Sequence, residues 1–358
     1  METRIRFRTG DLHSTRSGRI ALGWLGELCL LATIACATIA TLYFYQRDLV
    51  MASDSVASSP PDSVVAEQSP IYSMSISAEQ GQVMVVRSGR AAQALNIQPG
   101  EMQPNTDIVE GVTCVEFSPD GRMLAMGRVD GTVWLRDRKG TDSQLAVPPH
   151  KHIVRLVFSR DGERIIIGDE AGHVTIWNTK SNQTEGRFRV GTRRIEALAL
   201  SPDGQYLVAT GHHEALTIRD AKTGKVVDRL CRTKGDTCSV CIFSQDGRQL
   251  ICGFVSGELK SFDMQSHEVL WARSADRRQS VLGLALSPDG KSFACGALTP
   301  YVEIYDVQSG EVLNTFPAHR IGVRCLSYLP DANFLVSAGY DGKVRMWHED
   351  DWCPLYSL

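Results

Sequence analysis

Carboxylates recur through the chain at Asp120, Asp161, Asp203, Asp246, Asp289 and Asp331. Two carboxylates facing one another across a cavity could do acid–base work. Here each instead sits inside a turn-forming tetrapeptide: SPDG at 118–121, SRDG at 159–162, SPDG at 201–204, SQDG at 244–247, SPDG at 287–290, and an altered LPDA at 329–332. Asp bonds the backbone two residues on, and Gly tolerates positive φ. The aspartates are therefore read as structural.

Cys238-Ser-Val-Cys241 has CxxC spacing. It falls on a predicted strand, where residues three apart point to opposite faces, and no second CxxC completes a tetrahedral zinc site. Cys114, Cys252, Cys295 and Cys325 read as small core residues. A disulfide among Cys231, Cys238, Cys241 and Cys252 is the alternative, which export would permit. His212-His213-Glu214 is the most metal-like cluster, yet adjacent residues rarely chelate alone and no third ligand is in evident reach. The sequence holds no Gly-rich phosphate loop, HExxH or GxSxG. No catalytic residue, metal or cofactor is expected. Asn182-Gln-Thr184 is a glycosylation sequon, meaningful only for a lumenal domain of a eukaryote.

The turns that carry the aspartates repeat at steps of 41, 42, 43, 43 and 42 residues. An apolar strand precedes each turn (VTCVEF, IVRLVF, IEALAL, SVCIF, VLGLAL). A second strand, a polar turn, a third strand (TVWLRD, HVTIWN, ALTIRD, ELKSFD, VEIYD, KVRMWH) and a weaker fourth follow. Four strands per repeat of this length is the signature of a propeller blade. Stepping back from Asp120 reaches Glu79, and Asn96 with Gly100-Glu101 matches Asp306 with Gly310-Glu311 at identical offsets. SISAEQG is thus a worn first turn, and the count is seven.

From about residue 70 onward the chain resembles the WD-repeat family. The dipeptide that names the family is positional here: Arg136-Asp137, Trp177-Asn178, Arg219-Asp220, Phe262-Asp263, Tyr305-Asp306 and Trp347-His348. The resemblance implies an all-β, seven-bladed propeller of four-stranded antiparallel blades, approximately 71–109, 110–149, 150–191, 192–234, 235–277, 278–318 and 319–358. It also implies a structural tetrad at His319, Ser337, Asp341 and Trp347. The blade around Trp177 has His150 in place but Ile167 and Ala171 at the other positions, so its tetrad is expected to be broken. CPLYSL at 353–358 reads as the fourth strand of the last blade, so no strand need be exchanged between the termini, although SVVAEQ (63–68) could add one.

Ile20 to Tyr45 is apolar apart from Glu27, close to the ~20 residues that span a bilayer. Arg4, Arg6, Arg8, Arg16 and Arg19 precede it. By the positive-inside rule a tail over 1–19 stays in the cytoplasm, residues 20–46 form an uncleaved transmembrane signal anchor, and the propeller lies outside, in the periplasm if the source is bacterial. Residues 47–70, rich in Ser and Pro, read as a linker.

Basic residues gather in the connections between blades: His150, Lys151 and His152; Arg193 and Arg194; Arg232 and Lys234; Arg277 and Arg278; and Arg320. Such a rim would attract an acidic protein partner, although Asp169, Glu170 and Glu214 on the same face dilute it. A net charge of -3 gives no pull toward nucleic acid. The resemblance implies a non-enzymatic scaffold for protein–protein assembly, which the apolar run would tether through residues 20–46. An envelope enzyme or ligand sensor with a site in the central channel is the alternative.

Overall fold

The computed structural model describes residues 69–358 apart from 90, 99–100, 232–235, 275–278, 330–333 and 358. The expected tail, the anchor over 20–46, the candidate strand over 63–68 and most of the linker lie outside the described residues. Among the described residues no helix is long and apolar enough to cross a membrane.

Twenty-eight strands form seven sheets. The first holds β1 (Ile71–Ser77), β2 (Gln82–Arg87), β3 (Ala91–Gln98) and β4 (Glu101–Glu110). The second holds β5 (Val112–Phe117), β6 (Met123–Arg128), β7 (Val133–Asp137) and β8 (Asp142–Gln144). Next come β9 (Ile153–Phe158), β10 (Arg164–Asp169), β11 (His173–Asn178) and β12 (Gln183–Arg189). The fourth sheet is β13 (Ile195–Leu200), β14 (Tyr206–Gly211), β15 (Leu216–Asp220) and β16 (Val226–Cys231). The fifth is β17 (Cys238–Phe243), β18 (Gln249–Phe254), β19 (Glu258–Asp263) and β20 (Val269–Ser274). The sixth is β21 (Val281–Leu286), β22 (Ser292–Ala297), β23 (Tyr301–Asp306) and β24 (Val312–Pro317). The seventh is β25 (Val323–Tyr328), β26 (Phe334–Gly339), β27 (Val344–His348) and β28 (Pro354–Ser357).

Every sheet is an antiparallel meander in chain order. The first strand of each touches the first strand of the next, and β25 touches β1. That closes a seven-bladed propeller. β28 pairs with β27 in its own sheet, so among the described residues no strand is exchanged where the ring shuts. Closure falls instead to packing: Ile71, Val83 and Leu95 of the first blade share one apolar cluster with Val336, Val344 and Met346 of the seventh.

Burial explains why some strands are plain in the sequence and others faint. Second strands such as β10 and β18 are apolar on both faces because each blade is covered by a neighbour on either side. Fourth strands face solvent; β12 and β20 are mostly exposed and carry few apolar residues facing a core.

The aspartate turns are local devices. Ser118 Oγ donates to Asp120 Oδ1 at 2.6 Å, and the main-chain N–H of Arg122 donates to the same oxygen at 3.1 Å. Equivalent pairs stand at Ser159/Asp161, Ser201/Asp203, Ser244/Asp246 and Ser287/Asp289. Aspartates at the end of third strands cap the following turn, as Asp306 does by accepting from Gln308 N and Ser309 N.

Two further features repeat in all seven blades. The residue after each second strand donates its N–H to the carbonyl of the residue before the first strand. The pairs are Ser88–Pro70, Val129–Gly111, Glu170–His152, His212–Arg194, Val255–Thr237, Leu298–Ser280 and Tyr340–Gly322. The worn first blade keeps this bond. In addition, the pairing of each first strand with its second slips by one residue near its start. A bulge of this kind re-aims one side chain. The residues re-aimed are Tyr72, Thr113, Val154, Glu196, Ser239, Leu282 and Arg324.

The bulge overturns one expectation. Residues three apart on an unbroken strand face opposite ways, but the slip between Cys238 and Val240 restores Cys238 and Cys241 to one side. Both lie in a single apolar cluster with Cys252. Cys238, Cys241 and Cys252 are thiols, so no disulfide joins them, and the Cys231 side chain lies outside the described residues.

Candidate functional site

In an antiparallel meander the connection into each first strand must lie at the same end as the turn between second and third strands. That end carries the loops that differ most between blades, and the bulges ring the mouth of the central channel there.

Of the rim residues proposed from sequence, the described ones divide sharply. Lys151, Arg193 and Arg320 are exposed. His152 is paired with Glu170 at 3.2 Å on the surface. Arg194 Nε stands 3.7 Å from Glu196 Oε1, and its side chain is 39% exposed. Arg232, Lys234, Arg277 and Arg278 lie outside the described residues. His150 is not a rim residue: its side chain is 0% exposed. The flanking chain turns it inward, where Nδ1 meets Asp169 Oδ2 at 3.0 Å.

That contact also corrects Asp169, expected on the surface. Its side chain is buried and accepts from the main-chain N–H groups of Ala171 and His173. His173 Nδ1 approaches the same carboxylate at 3.2 Å. Burial opposes its ionisation, but the His150 hydrogen bond and the His173 N–H hold the carboxyl down at about 2.

The last blade shows what the third one lacks. His319 Nδ1 meets Asp341 Oδ1 at 2.8 Å, His319 Nε2 meets Ser337 Oγ at 2.9 Å, and Trp347 Nε1 donates to Ser337 Oγ at 2.8 Å. Burial works against the Asp341 charge, yet His319 and Arg345 hold its carboxyl far below the usual range. Burial lowers the His319 pKa, which favours the neutral ring that this pattern of donors requires. In the third blade Ile167 pairs with Thr175 as Ser337 pairs with Arg345. With an isoleucine there, His150 Nε2, Trp177 Nε1 and Thr175 Oγ1 have no hydrogen-bond partner among the described residues. The His–carboxylate half of the tetrad has been rebuilt from Asp169; the Ser–Trp half has not.

His212 and His213 lie ring against ring, centroids 4.0 Å apart, with His213 at φ 61°. His212 Nδ1 is 3.6 Å from Glu196 Oε1. Burial and then the neighbouring His213 lower the His212 pKa, with Arg193 and Arg194 adding to the shift. Among the described residues no group of three or more His, Cys, Asp or Glu side chains is arranged to hold a metal.

Apolar and aromatic groups share this face. Ile321 is 58% and Val255 49% exposed. Tyr72 and Tyr340 meet edge to face at 6.2 Å across the seam between first and seventh blades.

Inside the mouth lie charged residues that sequence reasoning passed over: Arg155, Glu196 and Arg324. A first strand has an unpaired inner edge, and polar side chains from its neighbours cover it. Arg155 Nε donates to Glu196 O at 3.0 Å and Arg324 Nη1 to Leu282 O at 3.3 Å. Ser239 Oγ donates to Val281 O at 2.6 Å, and Thr113 Oγ1 to Ile153 O. Val115 N and Phe117 N donate to Ser73 and Ser75. A signal did exist. Blades mostly place small or apolar residues at these two positions, so charge there breaks the repeat.

Comparison with known proteins agrees with the geometry. The family model described as "WD domain, G-beta repeat" matches residues 106–137 and 310–348. WD repeat-containing protein 55 of Arabidopsis thaliana is 22% identical over 244 residues, covering 68% of this chain and 69% of the relative. WD repeat-containing protein SL1-17 of Schistosoma mansoni is 29% identical over 238 residues, 66% of this chain and 78% of the relative. Telomerase protein component 1 of Mus musculus is 24% identical over 248 residues, 69% of this chain. The match spans 9% of that mouse protein.

Proposed function

We propose that this WD-repeat propeller is a non-enzymatic docking platform that assembles a protein complex, and that its loop-bearing face meets a partner with an acidic surface. What carries the reading is the company that face keeps. Exposed Lys151, Arg193 and Arg320 surround a channel mouth beside exposed Ile321 and Val255 and the Tyr72–Tyr340 pair. Arg and aromatic anchors with apolar neighbours are the composition from which interface hot spots are built. Similarity to WD-repeat proteins supports protein–protein interaction as the class of function. Residues 20–46 are proposed to tether the platform, with the N-terminus cytoplasmic and the propeller on the far side of the membrane.

Mild crosslinking followed by affinity capture of the full chain tests the docking reading. Wild type should recover a defined protein that is lost when Arg193 and Arg194 are both changed to Glu. Equal recovery by the variant would remove the acidic-partner reading. Protease digestion of intact cells and spheroplasts tests the tether: cleavage of the propeller from outside supports it, and protection until lysis refutes the orientation.

A further inference from the structure

We infer that the mouth of the central channel is an oxyanion site, in which Arg155, Arg324 and Arg194 receive a small polyanion of the phosphate or carboxylate class. Arg324 stands on the bulge that opens the first strand of the seventh blade, and Arg155 one position further along its own first strand in the third. Arg194 immediately precedes β13, whose bulge residue is Glu196. The three guanidiniums therefore come from three blades and share one end of the channel. One side chain can lie near groups of many blades only at the axis. Arg155 meets this condition: it is coupled to Arg324 and Cys325 of the seventh blade, Arg194 and Glu196 of the fourth, Cys114 of the second and Cys241 of the fifth.

The charges do not cancel. Arg194 and Arg155 share one carboxylate, Glu196, which also faces His212. Burial first, and then its like-charged neighbours Arg324 and Arg194, together lower the Arg155 pKa to about 10, with Glu196 opposing them. Covering carbonyl edges accounts for part of each guanidinium: Arg155 uses Nε and Nη1, and Arg324 uses Nη1. It leaves donors over. Arg324 Nε and Arg194 Nε are buried without a hydrogen-bond partner among the described residues. Buried donors left unmade cost free energy, and like charges held together at low dielectric cost more. An oxyanion at this point supplies both missing acceptors and the missing charge. Guanidiniums suit the task because their forked donors match phosphate and carboxylate oxygens. Arg193 and Arg320 outside the mouth extend the positive field that would steer such a ligand inward.

The inference stands apart from the docking reading, because a small anion can bind whether or not a protein partner exists. Calorimetric titration of the full-length chain with inorganic phosphate, pyrophosphate and citrate, at fixed ionic strength, tests it. Saturable binding of at least one is expected. Arg324→Gln should weaken binding by about tenfold or more, the loss expected for a charge-assisted hydrogen bond. Arg324→Lys should restore part of it, and Arg248→Gln, on an exposed turn at the opposite end of the fifth blade, should leave it unaltered. Glu196→Gln removes the opposing carboxylate and should tighten binding, a gain that misfolding cannot mimic. Pyrophosphate preferred over citrate points to phosphate, and the reverse to carboxylate. Absence of saturable binding, or equal affinity in wild type and the Arg324 and Glu196 variants, would overturn the site.

Discussion

Arg87, at the end of the second strand in the first blade, donates from Nη1 to the carbonyl of Gly342 in the seventh at 2.6 Å. The two residues are 255 positions apart, and the bond crosses the seam where the ring closes. Among the described residues no strand is exchanged there, and the seam rests on this bond, the Tyr72–Tyr340 contact and one shared apolar cluster. Arg87→Met should therefore cost about 1.5–3 kcal/mol, the range for hydrogen bonds to charged groups. Arg248→Ala, on a side chain 85% exposed, should stay within about 0.5 kcal/mol. Urea midpoints of the two variants compare them, and equal effects would show that the seam does not depend on Arg87.

Thiol reactivity follows from the bulge and from burial. The Cys238 hydrogen bond and then burial push the Cys241 pKa up, and burial pushes Cys114 to about 12 and Cys325 to about 11. Thiolate is the reactive form. Cys353 alone among the described cysteines is exposed, although Asp351 raises its pKa as well. Brief maleimide treatment of native protein, mapped by mass spectrometry, should label Cys353 and spare Cys114, Cys241 and Cys295. Labelling of Cys241 at the Cys353 rate would mean that the fifth blade opens readily.

The repeat was legible because turn chemistry is local. Ser118 and Asp120 need only each other and the next few main-chain groups, so their spacing survives in the sequence even where the blade dipeptide has drifted. The first blade was recovered from the offsets of Asn96 and Gly100-Glu101, which match Asp306 and Gly310-Glu311. What stayed hidden depended on register. Nothing in CSVC announces that residue 239 is bulged, and strand parity alone sends Cys241 to the wrong side. His150 and Arg193 look alike in sequence as loop cations. Only the fold shows that one meets Asp169 in the interior and the other meets water. The carboxylate partner also moved two positions, from the turn occupied by Asp341 to the strand end occupied by Asp169, so matching by offset found Ala171 instead.

Glu116 makes stability fall as pH rises. Burial raises its pKa from 4.5 to about 8, and the Ser75 hydroxyl offsets this only in part. A carboxyl whose folded pKa is raised is favoured protonated in the folded state. Its contribution is fully present below the ordinary value and is lost as pH climbs toward about 8. Glu116→Gln keeps the shape and abolishes the titration. The variant should match wild type near pH 4 and be the more stable at pH 8. A difference in urea midpoint that does not change between those two pH values would exclude ionisation as the cause.

Ile167 offers the sharpest test of the half-built tetrad. Replacing a fully buried isoleucine by a small polar residue ordinarily costs about 2–5 kcal/mol through lost transfer energy and the space left behind. At Ile167 the new hydroxyl would stand where Ser337 stands, between a histidine Nε2 and an indole N–H that now lack partners. Satisfying each such group recovers about 1–3 kcal/mol. Ile167→Ser should therefore stay within about 1 kcal/mol of wild type, because the two effects are of similar size and opposite sign. Ile166→Ser, one residue earlier and equally buried, has no such groups to serve and should bear the whole cost. Chemical denaturation of both variants decides the matter. If the two serines prove equally costly, the orphaned His150 Nε2 acceptor and Trp177 N–H donor are not waiting for a bridging hydroxyl.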